Sequence, residues 1–188
     1  MANLFYVIGA SGAGKDSLIR YLRTHMPEDA AVLFAHRYIT RPADAGGENH
    51  VALSTQEFEL RKAHGCFALD WFSHATHYGI GKEISAWLAD DLNVVVNGSR
   101  GYLEKAIALF PDMVPVIISV DTEVLSDRLI ARGRESTDQI KQRLIQATQL
   151  EKAISHHQLL KIDNNHRLED AGELLLKAIL NWNEKKYV

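Results

Sequence analysis

Leu4-Phe5-Tyr6-Val7-Ile8-Gly9-Ala10-Ser11-Gly12-Ala13-Gly14-Lys15-Asp16-Ser17 opens on an unbroken apolar run and closes on a glycine-rich turn ending in a lysine. An apolar run of this length beside a turn reads as a strand buried on both faces, the kind found in parallel sheets. From Gly9 onward the residues match G-x-x-x-x-G-K, and Ser17 to His25 carries helical periodicity, so the turn joins a strand to a helix. In that setting the glycines let backbone N–H groups converge on phosphate oxygens without an intervening Cβ. The helix N-terminus adds partial positive charge, and Lys15 reaches the β/γ-phosphates of a nucleotide. Gly9, Ala10, Ser11, Gly12, Ala13, Gly14 and Lys15 are therefore expected to cradle phosphate. The motif departs from its usual form at Asp16, where Ser or Thr normally offers a hydroxyl to Mg²⁺. A carboxylate there is a hard ligand for the metal, directly or through water, and equally a first-turn acid that complements the helix dipole. Both readings stay open, with Ser17 as a nearby hydroxyl.

Outward from this loop, apolar runs recur at Ala31 to Ala35, Asn93 to Val96, Val114 to Val120 and, more weakly, Leu159 to Ile162. Helix-period segments alternate with them at Glu83 to Leu92, Tyr102 to Phe110, Glu123 to Ala131 and Leu168 to Trp182. Strand and helix in turn favour an α/β class, specifically a three-layer P-loop NTPase fold with a parallel central sheet and right-handed crossovers. Asp121, after the Val114 to Val120 run, is read as an N-cap for the following helix rather than as a metal ligand. Two stretches interrupt the alternation. Residues 37–81 are long, polar and histidine-rich, with a short helix at Thr55 to His64, and are expected to form an inserted acceptor-binding lobe. Residues 132–155 begin with dense charge and Gly133 and are expected to form an arginine-rich lid. The expected organisation is one domain, with its core at 1–36, 82–131 and 156–188.

Composition agrees. The chain has 188 residues, 46% hydrophobic and 24% charged, enough apolar material for one packed core and too balanced for disorder. Lys and Arg total 21 against 24 Asp and Glu, a formal charge of -3, so no overall basic field recruits nucleic acid. Cys66 is the one cysteine, excluding an intrachain disulfide, and is expected to be a small buried core side chain. No run is long enough to span a bilayer, so a cytoplasmic location without membrane contact is expected. The oligomeric state stays open, a homodimer among the alternatives.

The P-loop, Tyr38-Ile39-Thr40-Arg41-Pro42, Asp70-Trp71, His77-Tyr78-Gly79 and Arg132-Gly133-Arg134-Glu135, in this order, resemble the guanylate kinase family along almost the whole chain. Three more specific forms resemble the ribose 1,5-bisphosphate phosphokinase branch of that family. They are Gly14-Lys15-Asp16-Ser17, Arg41-Pro42-Ala43-Asp44-Ala45-Gly46-Gly47-Glu48 and Val95-Val96-Asn97-Gly98-Ser99-Arg100. The resemblance implies ATP and Mg²⁺ as cofactors, a small sugar phosphate as partner, and formation of 5-phosphoribosyl 1-diphosphate in phosphonate catabolism. It carries the acceptor phosphate to Arg41 and Tyr78, and the adenine-reading loop to Asn164. The places that read guanine in the family hold Asp70, Ile80 and Asn97-Gly98, and the family's second phosphate-holding arginine is replaced by Asp44. Ile80 has no hydrogen-bonding group, so guanine recognition is dismantled. Arg37, His50, His74, His77 and Arg100 are the groups expected to rebuild the phosphate grip. Five of the nine histidines, His36, His50, His64, His74 and His77, fall at or in the lobe. Lys15 with Arg132, Arg134 and Arg143 is expected to neutralise charge on the transferred group. A nucleoside monophosphate kinase and a catalytically silent interaction module are the alternatives.

Overall fold

The computed structural model describes residues 2–45, 48–133, 136–152, 154 and 156–182. In chain order its first elements are β1 (Leu4–Gly9), α1 (Lys15–His25), β2 (Val32–Phe34), β3 (Arg37–Ile39), β4 (Val51–Ala52), α2 (Thr55–Ala63), β5 (Phe67–Ser73) and β6 (Thr76–Gly81). There follow α3 (Glu83–Ala89), β7 (Asn93–Asn97), α4 (Leu103–Leu109), β8 (Val114–Ser119), α5 (Thr122–Arg132), α6 (Thr137–Lys152), β9 (Leu160–Asp163) and α7 (Leu168–Leu180). The five-stranded sheet has the order β2-β7-β1-β8-β9. Its strands and the helices between them lie where apolar runs and helical periodicity put them, with ends displaced by no more than three residues. The largest displacement has a local cause at α3, which stops before Asp91, a residue in the left-handed region (φ 58).

The chain divides into two compact units, residues 1–6 with 28–113 and residues 7–27 with 114–188. In the first, β2 pairs in parallel with β7, Val32 opposite Asn93 and Phe34 opposite Val95. The stretch read from sequence as polar with one short helix also forms a four-stranded sheet, of strand order β4-β3-β6-β5. Within it β6 runs antiparallel to both β3 and β5. The β5–β6 hairpin turns on His74 (φ 50) and Ala75 (φ 56), two successive left-handed residues as a two-residue hairpin turn requires. Packing against the sheet, α2 is capped by Ser54, whose hydroxyl accepts from the Glu57 amide at 3.1 Å. Phe58 of α2 stacks on Phe67 of β5 with centroids 4.6 Å apart. The buried reading of Cys66 is corrected: the residue is exposed, placed after the left-handed Gly65 at the end of α2.

In the second unit β8 pairs in parallel with β9, Val116 opposite Leu160 and Ser119 opposite Asp163. Leu125 and Leu129 of α5 and Ile140 of α6 form a buried cluster with Ala10, Val120 and Leu144 around it. Asp121 does occupy the N-cap position of α5, yet its side chain makes no capping hydrogen bond. Its amide instead donates to Asn165 Oδ1 at 2.7 Å. No helix among the described residues is long and apolar enough to cross a membrane.

Candidate functional site

The phosphate loop of the second unit is shaped by its glycines. Gly14 is the N-cap of α1 at φ 92 and contributes no side-chain cap, so no side chain of its own closes the amide end of the helix. A Cβ on Gly14 would stand 2.5 Å from Asn164 Nδ2, so the close approach of Asn164 requires glycine as well. Gly12 is likewise left-handed (φ 90). Lys15 is half-buried and its ammonium donates to the Gly9 and Ala10 carbonyls at 3.2 and 3.3 Å, which holds it along the inside of the loop. Asp16 is exposed in the first turn and Ser17 half-buried beside it, two hard oxygen donors suited to Mg²⁺. Among the described residues no three His, Cys, Asp or Glu side chains gather as a metal cage.

Asn164 is 2% exposed and braced from three sides. Its amide donates to Ser119 O, its Nδ2 to Ala13 O at 2.8 Å, and its carbonyl accepts from Arg128 Nη2 at 2.7 Å. Its Oδ1 is buried without a hydrogen-bond partner among the described residues, an acceptor held ready for an amino group. Arg143 of α6 donates to Ser11 Oγ at 2.6 Å, bringing one predicted lid arginine onto the phosphate loop. Arg132 stands exposed in the last turn of α5, and Arg134 lies outside the described residues.

In the first unit the residues expected to bind the acceptor separate into two groups. One surrounds Glu48. Arg37 donates to that carboxylate through both Nε and Nη2, Asn97 Nδ2 donates at 3.4 Å, and Arg41 Nη2 lies at 3.6 Å. Arg37 and Glu48 side chains are 13% and 10% exposed, against 32% for Arg41. Arg37 is thus committed to Glu48 and lies over the Tyr78 ring at 5.3 Å, whereas Arg41 keeps a buried Nε with no partner among the described residues. Of the two arginines, Arg41 has the hydrogen-bonding capacity for an anion. His50 is engaged within the loop, its ring nitrogens each 3.1 Å from a carbonyl, of Glu48 and of Arg41.

The second group borders a cleft of about 510 Å³ along β5, whose lining includes Asp70, Trp71, His77, Ser99 and Tyr102. Asp70 is already paired with Lys62 at 2.5 Å. The His77 ring packs on Phe58 and Phe72, with Nδ1 3.5 Å from Glu59. His74 sits at the exposed hairpin tip, its Nδ1 2.8 Å from Ser73 Oγ, and Arg100 is half-buried in a short 3-10 turn after β7. Ile80 is fully buried in β6, opposite Arg37 and Leu69.

Two positioning residues escaped the sequence reading. Arg128 sits in a helical segment among other charges, and Glu48 closes the Arg41 to Glu48 motif with no neighbour in sequence that shows its partners. Removing the Glu48 charge tests its part: Glu48→Gln leaves the Arg37 guanidinium buried without an anion. It is expected to lower stability by about 3 kcal/mol, since breaking one side of a buried ion pair costs about 3–5 kcal/mol. A thermal melt would show it as a drop of roughly 6–12 °C for a chain of this size; an unchanged melting point would contradict the assignment.

A glycine-built phosphate loop between a buried strand and a helix, on this sheet order, defines a P-loop fold of the guanylate kinase type. Guanylate kinase from Anaplasma phagocytophilum shares that fold, with a TM-score of 0.69 at 14% identity over 95% of this chain and 84% of that one. No protein-family model matches the chain. Among curated proteins it is 49% identical over 180 residues to ribose 1,5-bisphosphate phosphokinase PhnN of Desulfomicrobium baculatum, spanning 96% of this chain and 95% of the relative. It is 51% identical over 178 residues to the protein of that name from Psychromonas ingrahamii, spanning 95% and 90%. With the one from Thiobacillus denitrificans it shares 50% over 183 residues, spanning 97% and 95%. The chain belongs to the ribose 1,5-bisphosphate phosphokinase PhnN family.

Proposed function

We propose that the protein transfers the γ-phosphoryl group of ATP to the 1-phosphate of ribose 1,5-bisphosphate, giving ADP and 5-phosphoribosyl 1-diphosphate. Beside the family relationship, one observation carries this reading. Arg41 offers a phosphate a buried Nε with no hydrogen-bond partner among the described residues, while of the guanine-reading positions Ile80 is apolar and Asp70 is paired with Lys62. The nucleotide phosphates lie on the loop of Gly9 to Gly14 with Lys15, and Asn164 Oδ1 accepts from the adenine amino group. Arg143, with Arg132 and Arg134, supplies positive charge to the transferred group. On the acceptor side Arg41 and Tyr78 grip the reacting phosphate, with Arg37 and Asn97 holding the shape of that grip. Asp70, His74, His77 and Arg100 complete the acceptor surface. The same reading keeps residues 37–81 as acceptor lobe, 132–155 as lid and the remainder as core, in a cytoplasmic enzyme of phosphonate catabolism.

An oxygen of the 1-phosphate attacks the γ-phosphorus in line; the new O–P bond forms as the bond to the ADP leaving oxygen breaks. The acceptor is already an anion at neutral pH, so no general base is needed. What the protein supplies is positioning and neutralisation of charge. Asp16 and Ser17 would hold Mg²⁺, which neutralises phosphate charge when bound. Asp16→Asn is expected to raise the Mg²⁺ concentration for half-maximal activity at saturating ATP, because an amide lacks the carboxylate charge. An unchanged half-saturation point would leave Asp16 only its helix-dipole role. The reaction itself is tested by ADP release from ATP. Release is expected with ribose 1,5-bisphosphate and not with ribose 5-phosphate, which has no 1-phosphate to attack. Equal release with both would contradict the assignment.

A further inference from the structure

The cleft along β5 is separate from the phosphate grip at Arg41 and carries charge of its own. Its size, about 510 Å³, suits a small ligand, for which sites run from about 300 to 1,000 Å³. Lys62 and Lys105 both line it, together with Ser99 and Tyr102. Lys62 is held there by Asp70, which also raises the pKa of its ammonium, so the charge is present throughout the neutral range. Lys105 lies over the Tyr102 ring at 5.8 Å and has no carboxylate partner among the described residues. The one carboxylate lining the cleft is that of Asp70, and Lys62 offsets it, so Lys105 leaves the cleft net positive.

A row of aromatic rings connects this cleft to the grip. Trp71 stacks on Tyr78 with centroids 5.4 Å apart and planes 4° from parallel, and meets Tyr102 at 5.7 Å with planes tilted by 31°. The Arg37 guanidinium stands over Tyr78 at one end of the row, and the Lys105 ammonium over Tyr102 at the other. A net positive cleft walled by Trp71 and Tyr102, in the same unit as the grip at Arg41 and apart from it, suits a second anionic group carried on a sugar, and a nucleoside monophosphate has only one such group. We propose that the cleft at Lys62 and Lys105 binds the second, non-reacting phosphate of a sugar bisphosphate acceptor, with Trp71 and Tyr102 against the sugar. The inference rests on the sugar bisphosphate reading above for the identity of that acceptor.

Lys105→Ala tests it on the full-length protein, with Lys105→Arg as the charge-restoring control and Lys62→Gln as an independent variant. Calorimetry with ribose 5-phosphate probes the cleft without catalysis. Lys105→Ala and Lys62→Gln are each expected to raise its Kd by about tenfold to a hundredfold, the effect of losing one charge-assisted hydrogen bond, and Lys105→Arg to restore most of it. In turnover, the preference for ribose 1,5-bisphosphate over ribose 1-phosphate, as the ratio of kcat/KM, should fall by a similar factor through KM. Ribose 5-phosphate binding that is absent in the parent or unchanged in Lys105→Ala overturns the proposal, as does an equal fall for both acceptors. A parent that binds ribose 5-phosphate through these lysines yet forms no ADP with the bisphosphate would sink the reaction assignment and leave the cleft site standing.

Discussion

Lys15→Ala is expected to lower kcat with ribose 1,5-bisphosphate by a factor of about 10² to 10³ or more, the range for removing a preorganised group that meets developing charge. The ammonium sits inside the loop against the Gly9 and Ala10 carbonyls, where the bridging phosphates of a nucleotide would replace those contacts. Its charge has no substitute from a neighbouring lysine in the loop sequence. Stability should change little, because the Gly9 and Ala10 carbonyls are part-exposed and water can take the place of the ammonium. A melting point within about 6 °C of the parent, together with the loss of turnover in a coupled ADP assay, is the expected pair of results. Activity within about twofold of the parent would remove the loop from the mechanism, given the size of effect such groups carry.

GMP is expected to be at least about a hundredfold poorer than ribose 1,5-bisphosphate in kcat/KM, which corresponds to roughly 3 kcal/mol of transition-state contacts. Its phosphate has the same Arg41 to dock on. The purine edge loses two partners, since Ile80 is buried without a polar group and Asp70 is paired with Lys62. A base-reading site gains discrimination from buried polar groups that pair only with the right base, and at Ile80 and Asp70 these are absent or engaged elsewhere. Side-by-side steady-state kinetics with the two acceptors measure the gap. Comparable values would overturn the acceptor assignment while leaving the P-loop fold as it is.

The parts legible in the sequence were those whose signal is local. A strand buried on both faces is a continuous apolar run, so β1, β7 and β8 announce themselves, and the phosphate loop adds its glycines and lysine in fixed order. The lobe was less legible. β3 and β4 are three and two residues long, and β5 shifts register between Phe67 and Leu69, which breaks the alternation a strand would otherwise show. Glu48 gains its place from Arg37 and from Asn97, 11 and 49 residues away in sequence, and no spacing rule connects them. Arg128 likewise matters through a contact with Asn164, 36 residues on. A histidine's surroundings are not legible in sequence either: the His50 ring nitrogens face two loop carbonyls, and the His77 ring packs on two phenylalanines while lining the cleft. Cys66 was misjudged because composition says that free cysteines are commonly buried, while its place just beyond the end of α2 puts it at the surface.

Phosphorus NMR of the product formed from ATP and ribose 1,5-bisphosphate tests the central claim most directly. The account predicts ADP together with a new diphosphate at C1, seen as two mutually coupled resonances, beside an unchanged 5-monophosphate signal. ADP accompanied only by inorganic phosphate, with the ribose 1,5-bisphosphate resonances intact, would contradict it.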